Sequence, residues 1–230
     1  MLSIVIPAYN EEERLGPTLA RIRDWGRGRR EAIEVIVSDD GSRDRTREVA
    51  AAAGVKVVGY AKNRGKGSAV RTGMLAAGGA RVLMCDADLA TPIEELDKLG
   101  AELDRGADLA IGSRAIDRSL IETRQHPMRE LMGRTFNGIV RLLVLGGIKD
   151  TQCGFKLFTR EAAQDLFGRA TVDGFAFDVE ILWLARGRYR IAEVPVVWRH
   201  VEESKVSPGM DAARMFADLV RIRWMHRGER

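Results

Sequence analysis

Short apolar runs alternate with amphipathic segments along the first half of the chain. The apolar runs are residues 2–6, 33–38, 55–59, 80–85 and 108–111, and the amphipathic segments are residues 11–25, 43–53, 67–77 and 93–103. Apolar runs of this length are typical of buried strands, whereas apolar positions that recur every three or four residues are typical of helices. The alternation predicts an α/β fold with a mostly parallel, doubly wound sheet flanked by helices.

The pattern becomes less regular after about residue 112, where the loops are longer. Loops carry binding residues more often than core elements do, so this half suits recognition of a second substrate. No internal repeat or low-complexity linker divides the chain, and its 230 residues are enough to bury one large core. We therefore expect a single domain over residues 1–230.

Two amphipathic segments of the second half, residues 128–145 and 210–225, combine large apolar faces with basic residues. In the second segment, Met215, Phe216, Leu219, Val220, Ile222 and Trp224 lie beside Arg214, Arg221 and Arg223. Helices of this composition can lie in the headgroup layer of a membrane, but packing against the sheet produces the same pattern. We expect packing for the first segment and favour a membrane surface for the second.

Composition and charge narrow the function only slightly. Hydrophobic residues make up 45% of the chain and charged residues 30%, which is ordinary for a globular protein, and the net charge of +4 permits an anionic substrate or membrane surface. Aromatic residues make up 6% and do not alternate with basic runs, so we expect no nucleic-acid partner. Cys85 and Cys153 lack zinc-site spacing, and we expect both to be reduced.

The N-terminal apolar run is too short for the core of a signal peptide, and Glu11, Glu12 and Glu13 follow soon after it. No window of the sequence approaches the roughly 20 apolar residues that a membrane-spanning helix requires. We therefore expect a cytoplasmic protein. The two amphipathic segments leave open a peripheral position on the cytoplasmic face of a membrane.

Asp86 and Asp88 follow the apolar run that ends at residue 85, and they are the most informative polar residues of the chain. Ligands of open α/β sheets bind outside the carboxyl ends of the strands, which is where we expect these side chains. Two converging carboxylates need a compensating charge, and a hard divalent cation shared with the phosphates of a nucleotide would supply it. The alternative interpretation is that Asp88 caps the helix that begins near Pro92.

Candidate ligand-binding residues also follow the other strands. After the second strand, Asp39 and Asp40 can accept hydrogen bonds from a ribose or a base, but a turn with a helix cap explains them equally well. Lys66 lies in a glycine-containing loop that can meet phosphates, and a solvated basic loop is the alternative. The first strand leads into Pro7 and Ala8 without the glycine pattern of a dinucleotide site, and the loop at Lys66 lacks the upstream glycine of a P-loop.

Segments from both halves of the chain, taken together, resemble the family 2 inverting glycosyltransferases of the GT-A fold. In the first half the matching segments are Ile4-Val5-Ile6-Pro7-Ala8-Tyr9-Asn10-Glu11, Val37-Ser38-Asp39-Asp40-Gly41-Ser42, Asn63-Arg64-Gly65-Lys66-Gly67 and Asp86-Ala87-Asp88. In the second half they are Gly112-Ser113-Arg114, Phe136-Asn137, Asp150-Thr151-Gln152-Cys153-Gly154-Phe155-Lys156-Leu157-Phe158, Phe177-Asp178-Val179-Glu180 and Val194-Pro195-Val196-Val197-Trp198. The second half is similar to the polyprenyl-phosphate branch of the family. Within that branch it resembles the dolichyl-phosphate β-glucosyltransferases more than the mannose synthases, which usually carry Gln where this chain has Ala90.

The resemblance implies a metal-dependent enzyme that transfers a hexose from a nucleotide sugar, with UDP-glucose favoured, to a polyprenyl phosphate. It implies a nucleotide-sugar-binding half at residues 1–112 and an acceptor-binding half at residues 113–230. The implied donor-nucleotide residues are Pro7, Ala8, Tyr9, Glu11, Asp39, Asp40, Lys66, Asp86 and Ala87. Asp86 and Asp88 are the implied ligands of Mg²⁺ or Mn²⁺, which would offset charge on the leaving nucleotide.

The resemblance also implies the acceptor side and the catalytic residues. Arg114, Arg129 and Lys205 are the implied ligands of the acceptor phosphate, although Arg129 and Lys205 can equally be surface charges. A lipid phosphate is already an anion at neutral pH, so positioning by cations matters more than removal of a proton. Asp178 takes the position of the base in related enzymes, and the implied catalytic set is Asp88, Arg114 and Asp178.

Two other functions remain open. The enzyme can instead transfer the sugar to a soluble hydroxyl acceptor, with Asp178 as general base. The other alternative is a non-catalytic module that binds nucleotide sugars, and it is disfavoured because a module without turnover has little use for a metal. Near the site, we expect Asp150 and Gln152 to form structural hydrogen bonds and Cys153 to be a small buried residue.

Overall fold

A seven-stranded sheet with helices on both faces forms the centre of the structure, a computed structural model that describes residues 1–123, 138, 140, 147–200 and 210–227. The strands are β1 (Leu2–Ala8), β2 (Ile33–Asp40), β3 (Lys56–Tyr60), β4 (Arg81–Cys85), β5 (Leu109–Ser113), β6 (Ile121–Thr123), β7 (Phe155–Thr159), β8 (Ile191–Pro195) and β9 (Trp198–Arg199). The helices are α1 (Glu12–Gly26), α2 (Thr46–Ala52), α3 (Lys66–Ala76), α4 (Leu96–Asp104), α5 (Arg160–Arg169), α6 (Phe177–Ala185) and α7 (Met210–Met225). Short 3₁₀ turns at Ile93–Glu95 and Arg118–Leu120 precede α4 and β6.

The strand order of the large sheet is β3-β2-β1-β4-β7-β5-β8. Neighbouring strands are parallel except at β7, which is antiparallel to both β4 and β5. β6 and β9 form a separate parallel pair. The prediction of a mostly parallel α/β sheet is confirmed, and β1 to β5 are the five strands that the apolar runs predict. β7 was not among the predicted strands, and its antiparallel direction is a departure from the parallel pattern that the apolar runs cannot reveal.

The two faces of the sheet bury separate apolar layers. Along β1, Ile4 and Ile6 belong to a cluster with residues of α1 and α4, whereas Val5 belongs to a cluster with residues of α3, α5 and α6. Successive side chains of a strand point to opposite faces, so a strand between two helical layers is apolar at every position. Burial on both faces explains why the strands appear in the sequence as continuous apolar runs. The polar residues of the site follow directly after these runs.

Two helices of the second half differ in their surroundings. α6 is buried at every position, although it contains Asp178 and Glu180. α7 confirms the helix predicted over residues 210–225, and within its described side chains, those of residues 215–225, the buried face consists of Met215, Leu219 and Ile222. None of the helices in the described part of the chain has the length and apolarity needed to cross a bilayer. Most of the predicted amphipathic segment 128–145 lies outside the described residues.

Candidate active site

Polar side chains from several strand ends and two helix starts meet at one edge of the sheet. β1, β2, β4 and β5 are parallel, so the residues that follow them lie at the same edge, and antiparallel β7 begins there. The predicted residues at this edge are Tyr9, Glu11, Asp39, Asp40, Asp86, Asp88 and Arg114, to which the starts of α3 and α6 add Lys66 and Asp178. The remaining predicted residues are buried: Pro7 and Ala8 at the end of β1, and Ala87 between Asp86 and Asp88.

Lys66 forms an ion pair with Asp86 at the start of α3. Its Nζ lies 2.7 Å from Asp86 Oδ1, and the two side chains are 28% and 32% exposed. Burial disfavours the ammonium charge, but the neighbouring carboxylates, that of Asp86 most of all, outweigh it and raise the pKa of Lys66. Lys66 therefore stays protonated at neutral pH and balances the negative charge of this edge.

Asp86 and Asp88 lie in a tight turn after β4. Asp86 O accepts a hydrogen bond from Leu89 N at 3.2 Å, and Leu89 has a φ of 45°, in the left-handed region. Asp88 Oδ1 accepts a hydrogen bond from Ala90 N at 3.0 Å, while the N-cap of the following 3₁₀ turn is Pro92. The alternative interpretation, in which Asp88 caps that helix, is therefore wrong.

The two carboxylates have the chemistry of a shared cation site. Burial, together with the charge of Asp86, raises the pKa of Asp88, so a positive charge nearby would stabilise its ionised form. Carboxylate oxygens are ligands that Mg²⁺ and Mn²⁺ prefer. Among the described residues, no group of three or more His, Cys, Asp and Glu side chains is placed to hold an ion. Binding of a cation by Asp86 and Asp88 stays a prediction.

Asp39 and Asp40 bind the backbone of the loops after β2 and β3. Asp39 is fully buried and accepts hydrogen bonds from Arg47 Nε at 2.6 Å and from backbone N–H groups of its own turn. Asp40 accepts hydrogen bonds from Arg64 N at 2.8 Å and Gly65 N at 2.9 Å, and burial raises the pKa of Asp40. The turn of the alternative interpretation is confirmed at Asp39, but its helix cap is wrong, because the N-cap of α2 is Arg45 and no side chain caps it. Contact with a ribose or base stays a prediction.

The loop after β1 is bound to the loop after β2. Asn10, at a φ of 53°, donates its backbone N–H to Ser42 Oγ at 2.9 Å. Glu11 N donates to Thr46 Oγ1 at 2.7 Å, and Glu11 Oε2 lies 2.8 Å from Arg14 Nε. The ends of these two neighbouring strands therefore form one connected surface.

Arg114 follows β5 and makes a two-pronged ion pair with Asp150. Its Nε and Nη2 lie 2.6 and 2.9 Å from the two carboxylate oxygens of Asp150. Burial opposes ionisation of Asp150, but the guanidinium outweighs it and lowers the pKa of Asp150 to about 2. The prediction of structural hydrogen bonds is confirmed for Asp150, to which Gln152 also donates its backbone N–H. The side chain of Arg114 remains 28% exposed, and its contact with a phosphate stays a prediction.

Asp178, at the start of α6, is paired with a lysine to which the sequence analysis gave no role. Lys156 Nζ lies 2.6 Å from Asp178 Oδ1 and donates to Cys153 O at 2.6 Å, and the side chains of Lys156 and Asp178 are only 1% and 7% exposed. Burial raises the pKa of Asp178, and the charge of Lys156 opposes that shift. One oxygen of Asp178 is thus bound to an ammonium group, which leaves only the other for a proton from a substrate.

Cys153 lies in the same buried loop. Its side chain is buried, and burial raises the pKa of its thiol to about 11. The thiolate is the reactive form, so this group is inert at neutral pH. The prediction of a small buried residue is confirmed.

Comparison with known proteins identifies the family of the chain that forms this site. Residues 3–167 match the model of Glycosyl transferase family 2. The chain belongs to this family. Dolichyl-phosphate beta-glucosyltransferases from Homo sapiens, Drosophila melanogaster and Saccharomyces cerevisiae are 40%, 41% and 36% identical to this glycosyltransferase, over 96% of its chain and 74% of each relative. The predicted family is confirmed, and the glycosyltransferase is an enzyme that depends on a nucleotide sugar.

Solved structures have the same fold as this glycosyltransferase. Glucosyl-3-phosphoglycerate synthase from Mycobacterium tuberculosis in complex with UDP has a TM-score of 0.73 at 22% identity, over 96% of the glycosyltransferase and 79% of that chain. The same synthase with Mn²⁺ and UDP-glucose has a TM-score of 0.72 at 22% identity, over 96% and 78%. At this identity the likeness establishes the fold, and the predicted GT-A fold is confirmed.

Some residues of the glycosyltransferase site fall outside the predictions or outside the described chain. Arg129 and Lys205, two of the predicted acceptor ligands, lie outside the described residues. Glu180 and His226 were not predicted as site residues, and their Oε1 and Nε2 atoms lie 3.0 Å apart in the interior. Like Lys156 in β7, Glu180 interrupts an apolar segment, and that interruption is the signal by which both could have been found.

Proposed function

We propose that this glycosyltransferase transfers glucose from UDP-glucose to a polyprenyl phosphate, with inversion at the anomeric carbon. The observation that carries the proposal is the 35–41% identity to dolichyl-phosphate beta-glucosyltransferases over most of the chain. This similarity includes the second half, which contains Arg114, Asp150 and Asp178, as well as the donor half. The mycobacterial synthase with Mn²⁺ and UDP-glucose, which has the same fold, supports the choice of donor.

On the donor side, Asp86 and Asp88 would hold Mg²⁺ or Mn²⁺, an ion that supplies Lewis-acid stabilisation to the leaving diphosphate when it is bound. Lys66 adds a fixed positive charge beside Asp86, which favours binding of a diphosphate at the same edge. The surface formed by the loops after β1 and β2, with Tyr9 and Glu11, would receive the nucleoside. In this proposal Asp39 and Asp40 act by shaping the loops after β2 and β3, because their carboxylates are already bound to protein groups.

On the acceptor side, the contacts of Asp178 favour a phosphate over a hydroxyl group. A hydroxyl acceptor needs a base to take its proton, whereas a lipid phosphate is already ionised and needs only to be positioned. Burial raises the pKa of Asp178, but one of its oxygens is bound to the ammonium of Lys156 at 2.6 Å, so only the other oxygen is left to take a proton. Arg114, partly exposed and fixed by Asp150, would position the acceptor phosphate together with Arg129 and Lys205.

A turnover assay with a panel of nucleotide sugars tests the proposed function. The protein would be incubated with Mg²⁺ or Mn²⁺ and with either a polyprenyl phosphate or simple sugars as acceptors. We expect lipid-linked glucose from UDP-glucose and no product from the simple sugars. Transfer to a sugar hydroxyl instead would contradict the lipid acceptor and point to Asp178 as a base. Donor binding without turnover on any acceptor would indicate a binding module.

We also propose that the enzyme works as a peripheral protein at the cytoplasmic face of a membrane. Phe216, Val220 and Trp224 follow one another at four-residue spacing along α7 and are 48%, 58% and 68% exposed. They form one apolar stripe, since residues four apart lie on the same face of a helix. Arg221 and Arg223 are exposed on the same helix and suit an anionic lipid surface.

Sedimentation with anionic phospholipid vesicles tests this contact. We expect Phe216→Ser/Trp224→Ser to weaken vesicle binding at least tenfold, because each large apolar side chain contributes roughly 1.5–3 kcal/mol when buried. Leu75→Ser is the matched control, since Leu75 is 41% exposed on α3, away from the stripe. Equal binding by the double variant and the control would contradict a role for α7 at the membrane.

A further inference from the structure

The start of α3, which carries Lys66, and the glycine before it rest directly on the backbone of another segment, residues 170–173. Ser68 N donates to Asp173 O at 3.3 Å. A Cβ atom on Gly65, whose φ is +114°, would lie 2.3 Å from Asp173 O, and one on Gly67 would lie 2.3 Å from Val172 O. Loop and segment therefore touch backbone to backbone, and a shift of the segment would displace the start of α3 and Lys66 with it.

Glu180 holds this segment from the interior. Its carboxylate is fully buried and accepts hydrogen bonds from Thr171 N at 3.0 Å, Thr171 Oγ1 at 2.9 Å and Val172 N at 2.8 Å. His226, just beyond α7, lies 3.0 Å from the same carboxylate. A buried charge is costly unless hydrogen bonds compensate it, so these bonds fix both the carboxylate and the backbone that donates to it.

Arg71 holds the same segment from the side of α3. Its Nη1 donates to Ala170 O at 3.0 Å, and its Nη2 lies 2.8 Å from Asp173 Oδ1. Arg71 thus fixes the two ends of the segment, and Glu180 fixes its middle.

We propose that Glu180 is a positioning residue for the donor site, which acts on Lys66 through residues 171–173. Glu180 does not touch the donor in this proposal. It fixes the backbone on which the glycine-containing loop lies, and so sets where the ammonium of Lys66 meets the diphosphate. The inference rests on the proposed function, since it takes Lys66 as a ligand of the donor diphosphate.

Binding of UDP in the presence of Mn²⁺, measured by calorimetry, and donor kinetics test the positioning role. We expect Glu180→Gln to raise the Kd of UDP and the KM of the donor roughly tenfold while kcat changes less than about threefold, because the variant displaces a binding group and leaves the reacting groups in place. Arg71→Met should likewise raise the Kd of UDP and the KM of the donor with little change in kcat. This second variant keeps the test valid if Glu180→Gln fails to fold. Arg169→Met is the matched control, because the side chains of Arg169 and Arg71 are 23% and 22% exposed and Arg169 forms an ion pair with Asp165, outside the segment.

Amide hydrogen exchange of the ligand-free protein separates this inference from the proposed function. Exchange at residues 65–68 should rise in Glu180→Gln and Arg71→Met and stay unchanged in Arg169→Met. Unchanged exchange and unchanged UDP binding, with only a lower unfolding midpoint, would overturn the inference and leave Glu180 as a structural residue. If exchange rises in the two variants but the unchanged protein binds no UDP, the proposed donor is wrong. The role of Glu180 in donor binding then fails with it.

Discussion

The Asp88→Asn variant is expected to lose about 10³-fold in kcat, which corresponds to about 4 kcal/mol of transition-state stabilisation. Asparagine keeps an oxygen that can accept the hydrogen bond from Ala90 N, so the turn after β4 should persist. What disappears is the negative charge that, together with Asp86, would attract a divalent cation. Steady-state kinetics with UDP-glucose at saturating Mn²⁺ measures the loss.

Donor affinity with and without the metal shows whether the loss arises from metal binding. The unchanged protein should bind UDP more tightly in the presence of Mn²⁺, and Asp88→Asn should bind it equally with and without the ion. Asp104→Asn is the control, because Asp104 is a 63% exposed carboxylate at the end of α4 that pairs with Arg81. Metal-dependent UDP binding of normal strength in Asp88→Asn would remove Asp88 from the metal site.

The Lys156→Met variant is expected to lower the free energy of unfolding by about 3–5 kcal/mol, the usual cost of breaking a buried ion pair by removing one partner. Methionine fills a similar volume, so the loss comes from charge. It leaves the Asp178 carboxylate and the Cys153 carbonyl oxygen without the ammonium that both now contact at 2.6 Å. Urea denaturation followed by circular dichroism measures the change.

Two further variants test the electrostatic origin of that loss. Adding Asp178→Asn to Lys156→Met removes the unpaired charge and should restore part of the stability. Lys98→Met is the matched control, because Lys98 pairs with Glu95 at the same N–O distance of 2.6 Å but is 46% exposed, and it should cost less than about 1 kcal/mol. Equal losses for Lys156→Met and Lys98→Met would contradict a buried charge pair in the site.

The sequence identifies residues that act through their position in the sheet. Asp86 and Asp88 stand directly after an apolar run, and parallel strands bring such positions to one edge whatever the details of packing. The same argument places Asp39, Asp40 and Tyr9 at that edge. Strands β1 to β5 and helix α7 are predictable for a related reason, since the period of their apolar positions follows from backbone geometry.

The partners of the charged groups are not predictable in this way. Lys156 and Asp178 are 22 residues apart, and Glu180 and His226 are 46 residues apart, so nothing local in the sequence pairs them. Nor does a carboxylate at a strand end reveal whether it faces a ligand or a backbone N–H group. Asp40, bound to the amides of Arg64 and Gly65, shows the second case.

The reversed direction of β7 has a consequence for how this enzyme can diversify. β5 ends at Ser113 and β7 starts at Phe155, and because the two strands are antiparallel both points lie at the substrate edge. The 41 residues between them therefore begin and end at the same edge of the sheet. Such an insert can be lengthened, shortened or exchanged while the strand order stays the same. With the proposed acceptor site at Arg114, acceptor preference can evolve in this insert while the strands that carry Asp39, Asp40, Asp86 and Asp88 stay unchanged.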